Sequence, residues 1–252
     1  MPKRKLTPNY IAAHIRRVIE DGGSAPHASE VQRFFKEEVQ SRGWYTAELR
    51  KLSVRFRRTL LREMGYDFLL KVADKLFSGS ILEEKACAVF LMEKLTGEFG
   101  DREFRLWESW LGRVSNWADH DALVHSLIGP MMVDEPRRAV KVFAWARGRN
   151  PWRRRAACVA LIRGTRKKMF FPQVVKLSGM LLKDEHPMVQ KGLGWLLRET
   201  VKADPQRGVR YLDTVRERAP RLVLRTAVET LSPELRAKIL HRERVGSRRA
   251  AQ

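Results

Sequence analysis

The chain is poor in cysteine. Cys87 and Cys158 are the only two, and neither belongs to a CxxC pair. That argues against zinc or iron–sulfur ligation and fits a reducing cytosol. Long apolar runs are also missing, and no stretch approaches the roughly 20 residues that a membrane span needs. The start, Met1-Pro2-Lys3-Arg4-Lys5, is basic with no apolar segment behind it, which speaks against a signal peptide. No sustained alternation of apolar and polar residues occurs, so strands are not expected. Acidic residues are in deficit: 29 Asp+Glu stand against 50 Lys+Arg in 252 residues, a net charge of +21. An imbalance of this size implies a polyanionic partner: DNA, RNA or an anionic membrane surface. The simpler alternative is that the charge only keeps the protein soluble.

What is present is helical periodicity, nearly throughout. Thr7-Pro8 opens a first helix with Ile11, Ile15, Val18 and Ile19 on one stripe, and the Gly22-Gly23-Ser24-Ala25-Pro26 run ends it. Ser29 with Gln32 reads as a capping box for a helix carrying Val31, Phe34, Phe35 and Val39. Thr46 begins a basic helix with Arg50, Lys51, Arg55, Arg57 and Arg58. A helix is expected over residues 66–77, and Ser80 with Glu83 reads as the cap of the next. Asp101 starts another, whose Trp107 and Trp110 are assigned to the core, as is Trp145. Further helices are expected near 172–182, 205–218, 222–231 and 233–244, with prolines at their starts. Residues 1–245 are expected to form a single domain of helical repeats, and 246–252 a frayed tail.

The centre of the chain repeats. Trp117 and Pro151 are 34 residues apart, and the same shift carries Asp121 onto Arg155. A 36-residue shift carries Pro151 onto Pro187 and Arg155 onto Lys191. Spacings in this range mark stacked two-helix repeats, in which equivalent positions line up on one face. The expected row is Trp117, Asp121, Arg155, Lys191 and Trp195: one carboxylate among cations between two indoles. The fold class is therefore all-α, a curved superhelical stack of antiparallel helix pairs.

These motifs resemble the AlkD-like DNA alkylation repair family, DNA glycosylases built from HEAT-like helical repeats. Lys191-Gly192-Leu193-Gly194-Trp195-Leu196-Leu197-Arg198-Glu199 is similar to that family's Lys-Ala-Ile-Gly-Trp-x-Leu-Arg-Glu. Trp152-Arg153-Arg154-Arg155-Ala156-Ala157 resembles its Trp-x-x-Arg-x-Ala. Trp117-Ala118-Asp119-His120-Asp121 keeps its Trp-x-x-x-Asp. Arg33-Phe34 through Gly43, followed by Leu49-Arg50, looks like its N-terminal helix and turn. The resemblance implies a monofunctional, cytoplasmic and nucleoid-associated glycosylase, a monomer without cofactor or metal. Its implied partner is double-stranded DNA carrying N3- or N7-alkylated purines, with no membrane involved. The family's catalytic aspartate falls on Asp121, its site tryptophans on Trp117 and Trp195, and its arginine on Arg155. DNA contacts are expected from Arg155, Lys191, Arg154 and Arg198. Phe34 stands where the family often has a tyrosine, so a hydroxyl contact is missing there, and this bears on substrate range.

Structural alternatives stand beside each residue. Trp117 and Trp195 also suit a core, and Asp121 with Arg155 also suits an ordinary inter-repeat ion pair. Asp119, His120, Asp121 and His125 share no helix face with enough ligands for a metal. At the level of function, the alternatives are a non-catalytic repeat protein binding distorted or branched DNA, and a scaffold for an acidic protein.

Overall fold

The computed structural model describes residues 6–241. Expectations for residues 1–5, for the tail 246–252 and for the helix end at 244 fall outside them. The fold is all-α, a HEAT-like solenoid of short packed helices, and no strand occurs among the described residues. The chain divides into two compact units, one up to Met131 and the other from Met132.

In the first unit, Tyr66–Phe77 packs against Leu82–Met92, Pro8–Asp21 and Thr46–Met64. The apolar stripe of the first helix is buried as its spacing predicts, with Ile15 and Ile19 inside. Trp107 and Trp110 are fully buried core residues, as expected. Trp110 stacks on Phe77 at 4.1 Å between centroids and donates its indole N–H to Asp74 Oδ1 at 2.9 Å. That bond lets a polar atom enter the core without an unmet donor.

Two capping assignments need correction. The second helix is Ala25–Gln32, and its N-cap is Ser24, whose hydroxyl accepts from His27 N. Pro26 in the first turn fixes the start, so the helix begins four residues before Ser29. Ser29 instead donates back to Ala25 O at 3.2 Å. Gln32 closes the following turn: its Oε1 accepts from Val39 N at 2.9 Å and its Nε2 donates to Glu37 O at 2.9 Å. Phe34 and Phe35 therefore lie in a turn rather than on a helix. The other correction is Glu83. The helix Leu82–Met92 starts after Ile81 with no side-chain cap. The Glu83 carboxylate accepts from Ser41 Oγ at 2.6 Å, Arg42 N at 2.9 Å and Gly43 N at 2.9 Å, which ties down a turn some forty residues upstream. Gly43 has φ +72°, and a Cβ there would stand 2.0 Å from Ser24 O, so the turn admits only glycine.

In the second unit, prolines open Pro151–Val159, Phe171–Leu181, Pro187–Ala203, Pro205–Val215 and Pro233–Leu240, as the sequence predicts. The helices expected over 205–218 and 222–231 end earlier, as Pro205–Val215 and Arg221–Ala227. Trp145 is buried. The long helix Pro187–Ala203 packs against both Pro151–Val159 and Arg221–Ala227. Gly194 permits the second contact: a Cβ there would meet Thr226 Cβ at 2.6 Å and Val223 O at 2.9 Å.

Candidate functional site

The helix Trp117–Leu123 carries Trp117 and Asp121, one turn apart on one side. Its start is fixed twice. Asn116 caps it, its side chain accepting from Asp119 N at 2.9 Å. Asp119 is buried, and its Oδ2 accepts from Lys85 Nζ at 2.8 Å and from Ser115 Oγ at 2.9 Å. Lys85, also buried, donates further to Arg113 O at 2.8 Å and Ser115 Oγ at 3.1 Å. One ammonium thus joins the Leu82–Met92 helix to the loop that leads into the site helix.

Trp117 is half-buried. One face of its indole lies on Phe35, at 5.0 Å and 17° between planes, and its N–H donates to Phe34 O at 3.4 Å. The Phe34 ring itself points to solvent, 74 % exposed. Trp117, Phe34 and Phe35, with Trp44, Leu49 and Phe90, line a cleft of about 360 Å³ on this unit. Asp121 is also half-buried. Its Oδ1 lies 2.7 Å from Nδ1 of His120, whose ring is wholly buried. Beyond Leu123 the backbone widens into a π-helical turn, Val124–Ile128, in which Gly129 N donates to Val124 O. Such turns recur near functional sites because they re-aim neighbouring side chains.

In the second unit, Arg155 is 6 % exposed and donates from Nη1 to Met188 O at 2.8 Å. This sets it against the first turn of Pro187–Ala203, the helix that carries Lys191 and Trp195. Gly192 makes room for it, since a Cβ there would come within 3.1 Å of Arg155 Cγ. Lys191 is exposed and Trp195 half-buried. Besides buried Arg155, two further residues expected on DNA are engaged with protein partners. Arg154 pairs with Asp184 at 2.6 Å and donates to Gly148 O and Arg149 O. Arg198 pairs with Glu229 and lies 3.5 Å from Glu199. Burial pushes the Glu199 carboxyl up, but the hydrogen bond from Arg166 and the charges of Arg166, Lys202 and Arg198 outweigh it, and its pKa lies below the ordinary value.

Among the described residues, no group of three or more His, Cys, Asp and Glu side chains could hold a metal ion. No described helix is long and apolar enough to cross a membrane.

A family model described as "DNA alkylation repair enzyme" matches residues 15–231. The chain belongs to the DNA alkylation repair enzyme family. Membership assigns it a role in the repair of alkylated DNA. A solved structure titled "Predicted DNA alkylation repair enzyme from Enterococcus faecalis" is similar, with a TM-score of 0.75 and 18% identity. The likeness covers 84% of this chain and 97% of that one, and it supports the helical-repeat fold. No curated protein matches the chain.

In this DNA alkylation repair protein, three contacts around the site helix did not follow from the sequence. Phe35 stacks on Trp117, His120 touches Asp121, and Lys85 holds Asp119. Asp119 at the third position of a capped helix was a visible signal for the start of the site helix. Lys85, 34 residues earlier, carried none.

Proposed function

We propose that this family member is a monofunctional glycosylase that hydrolyses the N-glycosidic bond of N3- and N7-alkylated purines in duplex DNA. The observation that carries the reading is the pairing on Trp117–Leu123 of a half-buried indole and a half-buried carboxylate, in a chain of the DNA alkylation repair family. An alkylated purine already carries positive charge, so it leaves without a proton donor. What remains is to stabilise an oxocarbenium-like sugar and to direct water onto it. One carboxylate does both, through its charge and as a hydrogen-bond acceptor for the water. Asp121 takes that role. Trp117 offers an electron-rich ring face to the cationic sugar or base, and Trp195, on Pro187–Ala203 of the second unit, offers another to DNA. Phe35 already covers one face of Trp117, so the opposite face is the one available for this. Lys191, exposed on its helix, contacts a backbone phosphate, and Arg155, anchored on Met188, adds charge beside it. Arg154 and Arg198, engaged with Asp184 and Glu229, act on DNA only by exchanging those partners for phosphate.

The test is excision of 7-methylguanine from duplex DNA. Asp121→Asn is expected to lower the rate by a factor on the order of 10² or more, with DNA affinity near that of the wild type. A wild-type protein that releases no base refutes the reading. Phe34 favours one alternative: an exposed ring without a hydroxyl suits insertion into distorted duplexes. That alternative, a non-catalytic protein binding branched or distorted DNA, predicts tighter binding to branched DNA than to plain duplex and no excision.

A further inference from the structure

We infer that His120 is a positioning residue for Asp121: its Nδ1–H restrains the carboxylate to one rotamer. The inference rests on the reading of Asp121 as the carboxylate that serves the sugar. Its basis is the 2.7 Å separation between His120 Nδ1 and Asp121 Oδ1.

Adjacent residues on a helix point about 100° apart, so neighbouring side chains do not ordinarily meet. Here they do, which requires the carboxylate to lean toward the buried side of its helix. His120 has no exposed surface, and its ring cannot swing without displacing the core around it. The flexible partner is therefore the half-exposed Asp121, and the rigid one is the imidazole. An ionised carboxylate only accepts hydrogen bonds. His120 Nδ1 must then donate, and this fixes the tautomer on the side facing Asp121. The N–H gives one carboxylate oxygen a fixed donor at 2.7 Å. A carboxylate that must meet a developing cation and aim a water gains from such restraint, because no reorganisation is then needed during the reaction. The cap at Asn116 and the Lys85–Asp119 pair fix the backbone from which both side chains project. His120 adds a restraint on the Asp121 side chain itself.

The experiment compares His120→Leu and His120→Asn in single-turnover excision of 7-methylguanine, with affinity for the same duplex measured separately. Leucine fills space without a donor; asparagine places an amide N–H close to where Nδ1 stood. The expected result is a loss on the order of 10- to 100-fold in rate for His120→Leu at unchanged DNA affinity, with His120→Asn within a few-fold of wild type. Equal rates for all three proteins overturn the proposal, as does an equal loss in both variants. A second arm needs no activity and no folded variant at position 120. In wild-type protein with 15N-labelled histidine, NMR should report a proton on His120 Nδ1 that exchanges slowly and whose signal shifts in Asp121→Asn. An unprotonated Nδ1 overturns the proposal while leaving the excision reading intact. Absence of wild-type excision with the Nδ1 proton present removes the catalytic meaning of the contact and overturns both.

Discussion

Lys85→Met is the sharpest test of how the site helix is held. Methionine keeps the length and most of the stem of lysine, so the substitution removes a charge and three donors without opening a large cavity. The Lys85 and Asp119 side chains are 4% and 1% exposed, so neither can turn to water. Without the ammonium, Asp119 Oδ2 keeps Ser115 Oγ at 2.9 Å and Ser115 N at 3.3 Å, while Oδ1 has no partner among the described residues. The Arg113 carbonyl loses its donor as well. Breaking a buried ion pair from one side costs about 3–5 kcal/mol, because the remaining charge is stranded. For a protein of this size that corresponds to a fall in Tm of roughly 6–20 °C. The assay is urea unfolding at pH 7, followed by far-UV circular dichroism and tryptophan fluorescence. In the double variant Lys85→Met with Asp119→Leu the stranded charge is gone, and a coupling of about 1–3 kcal/mol should appear as recovered stability. A loss below about 1 kcal/mol for the single variant, the size typical of an exposed pair, refutes the account. So does a double variant whose loss equals the sum of the two single losses.

Other outcomes follow from the same contacts. Gly194→Ala gains helix propensity but drives a Cβ against Thr226 and the Val223 carbonyl; a net loss of about 1–3 kcal/mol is expected by urea unfolding, and a gain would show that the neighbouring helix yields. Cys87 and Cys158 are buried, and burial pushes both thiols up to about 12; at pH 8 iodoacetamide should label neither in the native protein and both in urea, and rapid native labelling counts against the packing. Affinity for undamaged duplex should fall by a factor on the order of 10³ between about 50 and 200 mM salt, measured by fluorescence anisotropy; a flat response is incompatible with a phosphate-tracking surface.

Helix existence was legible in the sequence because it depends on periodicity and on local punctuation. Asn150 caps Pro151–Val159 through Trp152 N at 2.8 Å, and the prolines mark their helix starts, because cap and proline act within one turn. The failures share a cause. Ser29 with Gln32 and Ser80 with Glu83 have the spacing of a capping box, but spacing does not show what else competes for the acceptor. Glu83 was taken by the amides of Arg42 and Gly43, and Gln32 by Val39 N and Glu37 O. Both are bonds to irregular backbone, which has no period to read. The displaced helix start then moved Phe34 and Phe35 into a turn, where Phe35 can lie flat on Trp117.

The charge excess was legible as a number but not as a set of residues. Whether an arginine faces DNA or the protein depends on an acid one repeat away: Asp184 for Arg154, Glu229 for Arg198 and Glu199 for Arg166, at separations of 30, 31 and 33 residues. These are close to the repeat length itself. Stacking therefore brings a cation of one repeat beside an acid of the next as regularly as it brings cation beside cation, and only the phase of the acid decides between a structural bridge and a basic row. With 29 acids against 50 bases, every acid can be paired and 21 cations still remain. Lys191, exposed four residues before a half-buried tryptophan, has no acid one repeat away on either side. For that reason the lysine, rather than the arginines that crowd the helix starts, is the residue whose loss should weaken DNA binding without a cost in stability.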